Sequence, residues 1–275
     1  MDGAIPNYDG IFTADTITKV PPEAEGHVVI SGSHGGRYPG YQAAKAHVRA
    51  VIFNDAGIGK DGAGMGSLSY LEALGIAAAV VSHGSCRIGD TSDMLARGLI
   101  SHANAVAAEA GVEPGQTTLE AASRLRDVVY RCVDPPVLGE ARSMIPGRSR
   151  NIILLDSASL VRPDDAGQIV VTGSHGALVG GIPRMALRVD GFAAAFNDAG
   201  IGRDCAGITR LPALDERGIA AITVAAMSAR IGEAASTFAD GVISAANETA
   251  KRLGASEGMR ARDVLSAWAK LALHS

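Results

Sequence analysis

Two polar dipeptides each occur twice in the chain: Ser33-His34 with Ser174-His175, and Asn54-Asp55 with Asn197-Asp198. Every one follows a short apolar run and is bordered by glycine or by an Ala-Gly pair. Histidine, with a side-chain pKa near 6.5, is the natural proton carrier at neutral pH, so His34 and His175 are read as proton-transfer groups. A neighbouring carboxylate can orient such a ring or act as a base itself, which is the part given to Asp55 and Asp198. Ser33, Ser174, Asn54 and Asn197 offer hydroxyl and amide donors to a developing oxyanion, and free N–H groups after a glycine favour an anion. The bland alternative is that Asn and Asp before glycine only cap turns, and that the histidines bond backbone.

A third matched cluster is Ser85, Arg87-Ile88-Gly89 with Ser228, Arg230-Ile231-Gly232. Arg87 and Arg230 can clamp a substrate carboxylate, with Ser85 and Ser228 beside them. They can equally pair with the acids three residues on, Asp90 and Glu233. Between these residues the halves differ: Ser82-His83-Gly84-Ser85-Cys86 faces Ala225-Ala226-Met227-Ser228-Ala229. Cys86, beside Arg87 and before a predicted helix, is a candidate thiolate with His83 or His34 as its partner. A small buried residue is the competing reading. Arg37, Tyr38 and Tyr41 have no polar counterparts in the second half and mark the first loop as the specificity element.

No cofactor is expected. Residues 57–62 spell Gly-Ile-Gly-Lys-Asp-Gly, but the second half puts Cys205 at the last glycine and the following strand lacks a ribose-holding acid. A divalent metal remains open, since His34, His175, Asp55 and Asp198 would make a nitrogen and carboxylate set suited to Zn²⁺ or Mn²⁺ if they converged.

These residues need elements to position them, and the repetition supplies the outline. Shifting the sequence by 143 aligns residues 53–112 with 196–255 with 29 identities in 60 positions, and a shift of 141 aligns 15–36 with 156–177 with 9 in 22. The chain therefore reads as an internal duplication: a first unit over 1–127, a connector over 128–151 and a second unit over 152–275. Within each unit, apolar runs at 28–30, 50–53 and 76–81, matched by 169–171, 193–196 and 219–224, read as buried strands. Ile152–Leu155 suggests one more at the start of a unit. Residues 64–74 and 92–110 carry helical spacing and end at glycines. Strands alternating with helices predict an α/β fold, two pseudo-symmetric βα units with mainly parallel sheets covered by helices. The polar clusters then fall at the carboxyl ends of strands, where α/β sheets bind ligands. A pseudo-twofold packing would join them into one composite site between the units.

Composition sets outer limits. The 275 residues carry 25 basic and 29 acidic side chains, a net charge of −4, which disfavours nucleic acid and anionic membranes as partners. At 47% hydrophobic and 20% charged residues the chain can bury a sizeable core. Three cysteines without metal-site spacing fit a reducing cytoplasm. Met1–Pro6 has no basic leader pattern, and no apolar run reaches the roughly 18 residues of a membrane helix. In plan alone the two βα halves with a strand-end thiol resemble the aspartate/glutamate racemase superfamily. That family's pattern calls for a cysteine in each half, and Ala229 stands opposite Cys86. The expectation is a cofactor-independent hydrolase of a small polar amide or cyclic amide bearing a carboxylate, with homo-oligomerisation open. An isomerase, racemase or lyase using Cys86, or a non-catalytic small-molecule-binding module, stand as alternatives.

Overall fold

The structure is a computed structural model that describes residues 10–272; the Met1–Pro6 segment read for a leader lies outside them. It is an α/β protein with two mostly parallel sheets, one of five strands and one of six. The chain divides into two compact units: residues 10–57, 63–138 and 202–204 form the first, and residues 58–62, 139–201 and 205–272 the second.

The first unit runs β1 (Ile11–Ala14), β2 (Val28–His34), α1 (Arg37–Lys45), β3 (Ala50–Asn54), α2 (Gly66–Ala73), β4 (Ala77–Val81), α3 (Thr91–Arg97), β5 (Ile100–Ala103), α4 (Ala105–Glu109) and α5 (Thr118–Leu125). Its sheet order is β1-β2-β3-β4-β5, parallel except for β5, which pairs antiparallel with β4. The central strands are apolar on both faces, as burial under helices on either side demands. Val28, Ile30, Ala50, Ile52, Ala77, Ala79 and Val81 pack with Met94 of α3, Ala107 of α4 and Leu125 of α5. The alternate residues Val29, Val51, Phe53, Ala78 and Val80 pack with Ala43 and Ala44 of α1 and Leu71 of α2.

The second unit contains β6 (Arg142–Ile145), β7 (Ile152–Leu155), β8 (Ile169–His175), β9 (Ala193–Asn197), α6 (Arg210–Asp215), β10 (Ala220–Val224), α7 (Ala234–Ala239), β11 (Ile243–Ala246), α8 (Glu248–Arg252) and α9 (Ala261–Trp268). The sheet order is β11-β10-β9-β8-β7-β6, with β11 and β6 antiparallel to their neighbours. Trp268, the one tryptophan, is buried with Val264 and Leu265 under this sheet.

Three differences from the sequence reading have local causes. The helical stretch expected over 92–110 is interrupted by strand β5, because Gly98 ends α3 and Asn104 starts α4 by accepting from Ala107 N. Residues 142–145, read as connector, add strand β6 to the second sheet. Residues 178–192 hold two 3₁₀ turns where the first unit has α1, with Gly180 and Gly181 at positive φ and Pro183 starting the second turn. That stretch is tied down by Arg210, which is buried under it. Its guanidinium donates to the carbonyls of Ala177, Met185 and Ala186 and lies over the Phe196 ring, 5.0 Å from the centroid. The first unit has Ser67 at the equivalent place: Ser67 N donates to Gly35 O as Arg210 N does to Gly176 O, each at 2.8 Å.

The strand that delivers the histidine is bulged in both units. Ile30 pairs with Ile52, but His34 pairs with Asn54, so β2 carries two extra residues; Val171–Ala195 and His175–Asn197 repeat the step. Such bulges re-aim a side chain at a strand end. The extra residues include Gly32, where a Cβ would stand 2.8 Å from Asp15 O and 3.0 Å from the Gly89 backbone. Gly35 is equally confined, with 2.7 Å to both Gly64 O and a Val80 methyl. Gly35→Ala is therefore expected to cost about 1–3 kcal/mol by overpacking. Gly62→Ala has open space and a left-handed position that Cys205 already tolerates in the other half, so it should cost no more than about 1 kcal/mol. Urea denaturation of both variants checks the contrast.

Candidate functional site

In the first unit, the ends of β2, β3 and β4 lie side by side and carry His34, Asn54-Asp55 and the loop from Ser82 to Asp90. Asp55 is buried at the centre of a hydrogen-bonded cluster. Its Oδ1 accepts from His83 Nδ1 at 2.8 Å, from His83 N at 2.9 Å and from Gly57 N at 3.2 Å, while Oδ2 accepts from Ser101 Oγ at 2.9 Å. Burial pushes this carboxyl up, but the bonds from His83 and Ser101 outweigh it and hold it below the usual aspartate value. The His83 side chain keeps 31% of its surface exposed against 3% for Asp55. A buried carboxylate thus fixes the tautomer and direction of an accessible imidazole, leaving Nε2 as its second nitrogen.

His34 is set deep, although the residue as a whole is only half-buried. Its Nδ1 accepts from the N–H of Gly36, the residue just before α1, at 3.2 Å. The hydrogen therefore sits on Nε2, which has no hydrogen-bond partner among the described residues. Burial lowers the His34 pKa to about 4. The ring is neutral at pH 7, a fixed N–H donor and not the proton carrier expected from sequence. A Cβ at Gly36 would come within 2.6 Å of His34 Nδ1, so only glycine allows this ring position. The second half has Ala177 there, and His175 is buried at 7% exposure.

The other matched residues are occupied within their own units. Ser33 Oγ accepts from Ile17 N and Ser174 Oγ from Ala158 N. Asn54 and Asn197, both fully buried, cap the N–H groups of Ala56 and Ala199. Their amide nitrogens point to Cys86 Sγ and to Ala229 O, which removes them as oxyanion donors. Asp198 Oδ1 accepts from Gly200 N and Ala226 N, the backbone part of the Asp55 pattern with alanine in place of the imidazole. Ser85 and Ser228 bridge Ser82 O to Leu99 N and Ala225 O to Val242 N. Arg87 is paired with Asp90, Asp93 and Asp204, and Arg230 with Glu233 and Asp61, so both cations are neutralised by the protein's own acids.

Cys86 is fully buried, and burial pushes its thiol up to about 12, the reverse of the thiolate expected from sequence. It lies five residues before α3 and packs in the core, so the helix dipole does not reach it. Arg37 and Tyr38 do not form a loop but open α1; Arg37 is exposed, 5.7 Å from the centroid of the Tyr70 ring, and Tyr38 Oη accepts from Gln42 Nε2. Among the described residues no three His, Cys, Asp or Glu side chains gather as a metal site. None of their helices is long and apolar enough to cross a membrane.

Two features were missed in the sequence reading. His83 enters there only as a partner for Cys86, and Ser101, which is serine again at 244, is not singled out at all. The loops after β3 and β9 are also strained: Ile58 and Ile201 both hold φ 62, a backbone region that β-branched residues rarely occupy. Comparison with family models, curated proteins and solved structures gives no match.

The His34 environment has a thermodynamic signature. The unfolded chain takes up a proton near pH 6.5 that the folded chain refuses until about 4, so His34 stabilises the fold fully above pH 6.5 and loses that contribution as pH falls towards 4. The loss amounts to up to about 3 kcal/mol. His34→Asn, whose Oδ1 can still accept from Gly36 N, should flatten the decline in urea-unfolding free energy between pH 6.5 and 4; an unchanged slope would contradict this.

Proposed function

We propose that the chain is an internally duplicated, cofactor-independent hydrolase that opens a C–N bond in a small polar amide or cyclic amide carrying a carboxylate. In this reading the chemistry belongs to the first repeat. The observation that carries it is the 2.8 Å bond between buried Asp55 and His83 at the carboxyl end of the sheet. An imidazole fixed in this way can take a proton from water through Nε2 as the water attacks the carbonyl, then return it to the departing nitrogen. Asp55 does not change protonation in this cycle; it stabilises the imidazolium that forms.

His34 complements that role. A neutral imidazole whose Nδ1 is held by a helix-start N–H presents Nε2–H to a developing oxyanion without supplying a proton, a division of labour known for paired catalytic groups. Arg37, exposed at the first turn of α1 and not matched by a cation in the second half, is the side chain assigned to the substrate carboxylate, with Tyr38 beside it. The second repeat, with Ala226 where His83 would be, lacks the base and is read as scaffold. The Cys86-dependent isomerase, racemase or lyase is disfavoured by the burial of that thiol.

The test is a turnover screen by proton NMR against small amides, lactams and cyclic imides bearing a carboxylate. His83→Ala is expected to lower kcat/KM by about 10²–10⁴-fold on any substrate found, with Cys86→Ala near wild type. Full activity in His83→Ala would sink the assignment, and binding without turnover across the screen would favour the non-catalytic module.

A further inference from the structure

A second cluster of reactive side chains lies in the first unit, away from the strand ends just described. His47 stands in the turn between α1 and β3, and Cys132 and Asp134 lie on the irregular segment after α5. Cys132 Sγ is 3.5 Å from His47 Nδ1, and His47 Nε2 is 3.4 Å from Asp134 Oδ1. In the neutral ring Nδ1 accepts from the thiol, and the Nε2–H then faces the largely exposed Asp134 carboxylate at ion-pair range. Thiol, base and orienting carboxylate thus follow one another in the order that activates a nucleophile.

The imidazole is held in place by its backbone. His47 sits at φ 50, in the left-handed region, with its N–H donating to Ala44 O and its carbonyl accepting from Gly26 N at 2.9 Å. Asp190 takes the same backbone position in the second unit, where its carbonyl accepts from Gly167 N, so the relay has no counterpart there. The remaining titratable neighbours are Tyr130 and Glu25, joined by a 3.5 Å contact from Tyr130 Oη to Glu25 Oε1. Burial, then the proximity of Cys132 and Glu25, raises the Tyr130 hydroxyl to about 12, so it stays protonated beside the thiol.

The three cysteines form an internal comparison. Cys86 is buried, while Cys132 and Cys205 are both exposed, and only Cys132 has a histidine within hydrogen-bond distance among the described residues. The exposed thiol is open to a small reagent that needs no binding pocket. We infer that Cys132 is a modification site, a thiol activated by the His47–Asp134 pair that hydroperoxides oxidise to a sulfenic acid. His47 takes the thiol proton, and the thiolate attacks one peroxide oxygen. The S–O bond forms as the O–O bond breaks, and the departing hydroxide or alkoxide takes the proton back from His47 to leave as water or alcohol. Sulfur loses two electrons and the peroxide gains them.

The experiment treats the full chain with hydrogen peroxide, traps sulfenic acid with dimedone and follows each cysteine by peptide mass spectrometry, with iodoacetamide alkylation run in parallel. Cys132 is expected to react about tenfold or more faster than Cys205 with both reagents, and Cys86 to stay unlabelled in the folded protein. His47→Asn suits the left-handed backbone and removes the base; it should bring Cys132 down to the Cys205 rate and leave Cys205 unchanged. Asp134→Asn should slow Cys132 less and shift its rate–pH profile upward. Equal rates for Cys132 and Cys205 in the parent chain, or no effect of His47→Asn, overturn the relay; fast alkylation with slow dimedone capture overturns the peroxide assignment.

Discussion

A parallel strand that stops inside a protein strands the N–H groups of the residues beyond it, and those groups must find acceptors before a covering loop can close over them. In both units this burden falls on the Asn-Asp pair at the end of β3 and of β9. Asn54 and Asn197 turn back on the second residue of the loop, and Asp55 and Asp198 reach sideways to the N–H of residues 83 and 226, after the neighbouring strand. Asp15 and Asp156 do the same one level out, accepting from the first N–H of α3 and of α7. The polar rims of the sheets are therefore acceptor frameworks first, and the candidate chemistry is mounted on them.

That framework explains why so many residues match between the halves and why a match alone misleads. Ser33, Ser85, Asn54 and their equivalents each satisfy a backbone group, and their loss would cost the desolvation of a buried partner. His83 is different, because its ring uses the same Asp55 oxygen that its backbone uses, and the second unit shows that the backbone bond suffices for folding. What only one half possesses thus separates from what both need.

The strands and the general α/β plan were legible because Val, Ile and Ala runs between glycines leave few other options. The site's electrostatics were not. His34 reads as a proton carrier from its type, and only the bond from Gly36 and the depth of the ring make it a donor. Cys86 reads as activated by Arg87, yet the guanidinium turns to Asp90, Asp93 and Asp204 while the thiol turns into the core. Strand β5 escaped notice because four residues between two capped helices keep the same spacing of apolar positions as one long helix. The Cys132–His47–Asp134 contact joins residues 85 apart in sequence and carries no local pattern at all.

Arg210 and Arg217 show how two side chains can stand in for a helix. Where the first unit lays α1 across its sheet, the second has an irregular stretch whose carbonyls meet two guanidiniums, Arg210 in α6 and Arg217 just beyond it. A helix carries its own hydrogen bonds, whereas this segment takes its donors from side chains outside it. Residues 178–192 can therefore change in sequence and length without breaking a helical ladder, so long as the carbonyls that meet the two arginines are kept.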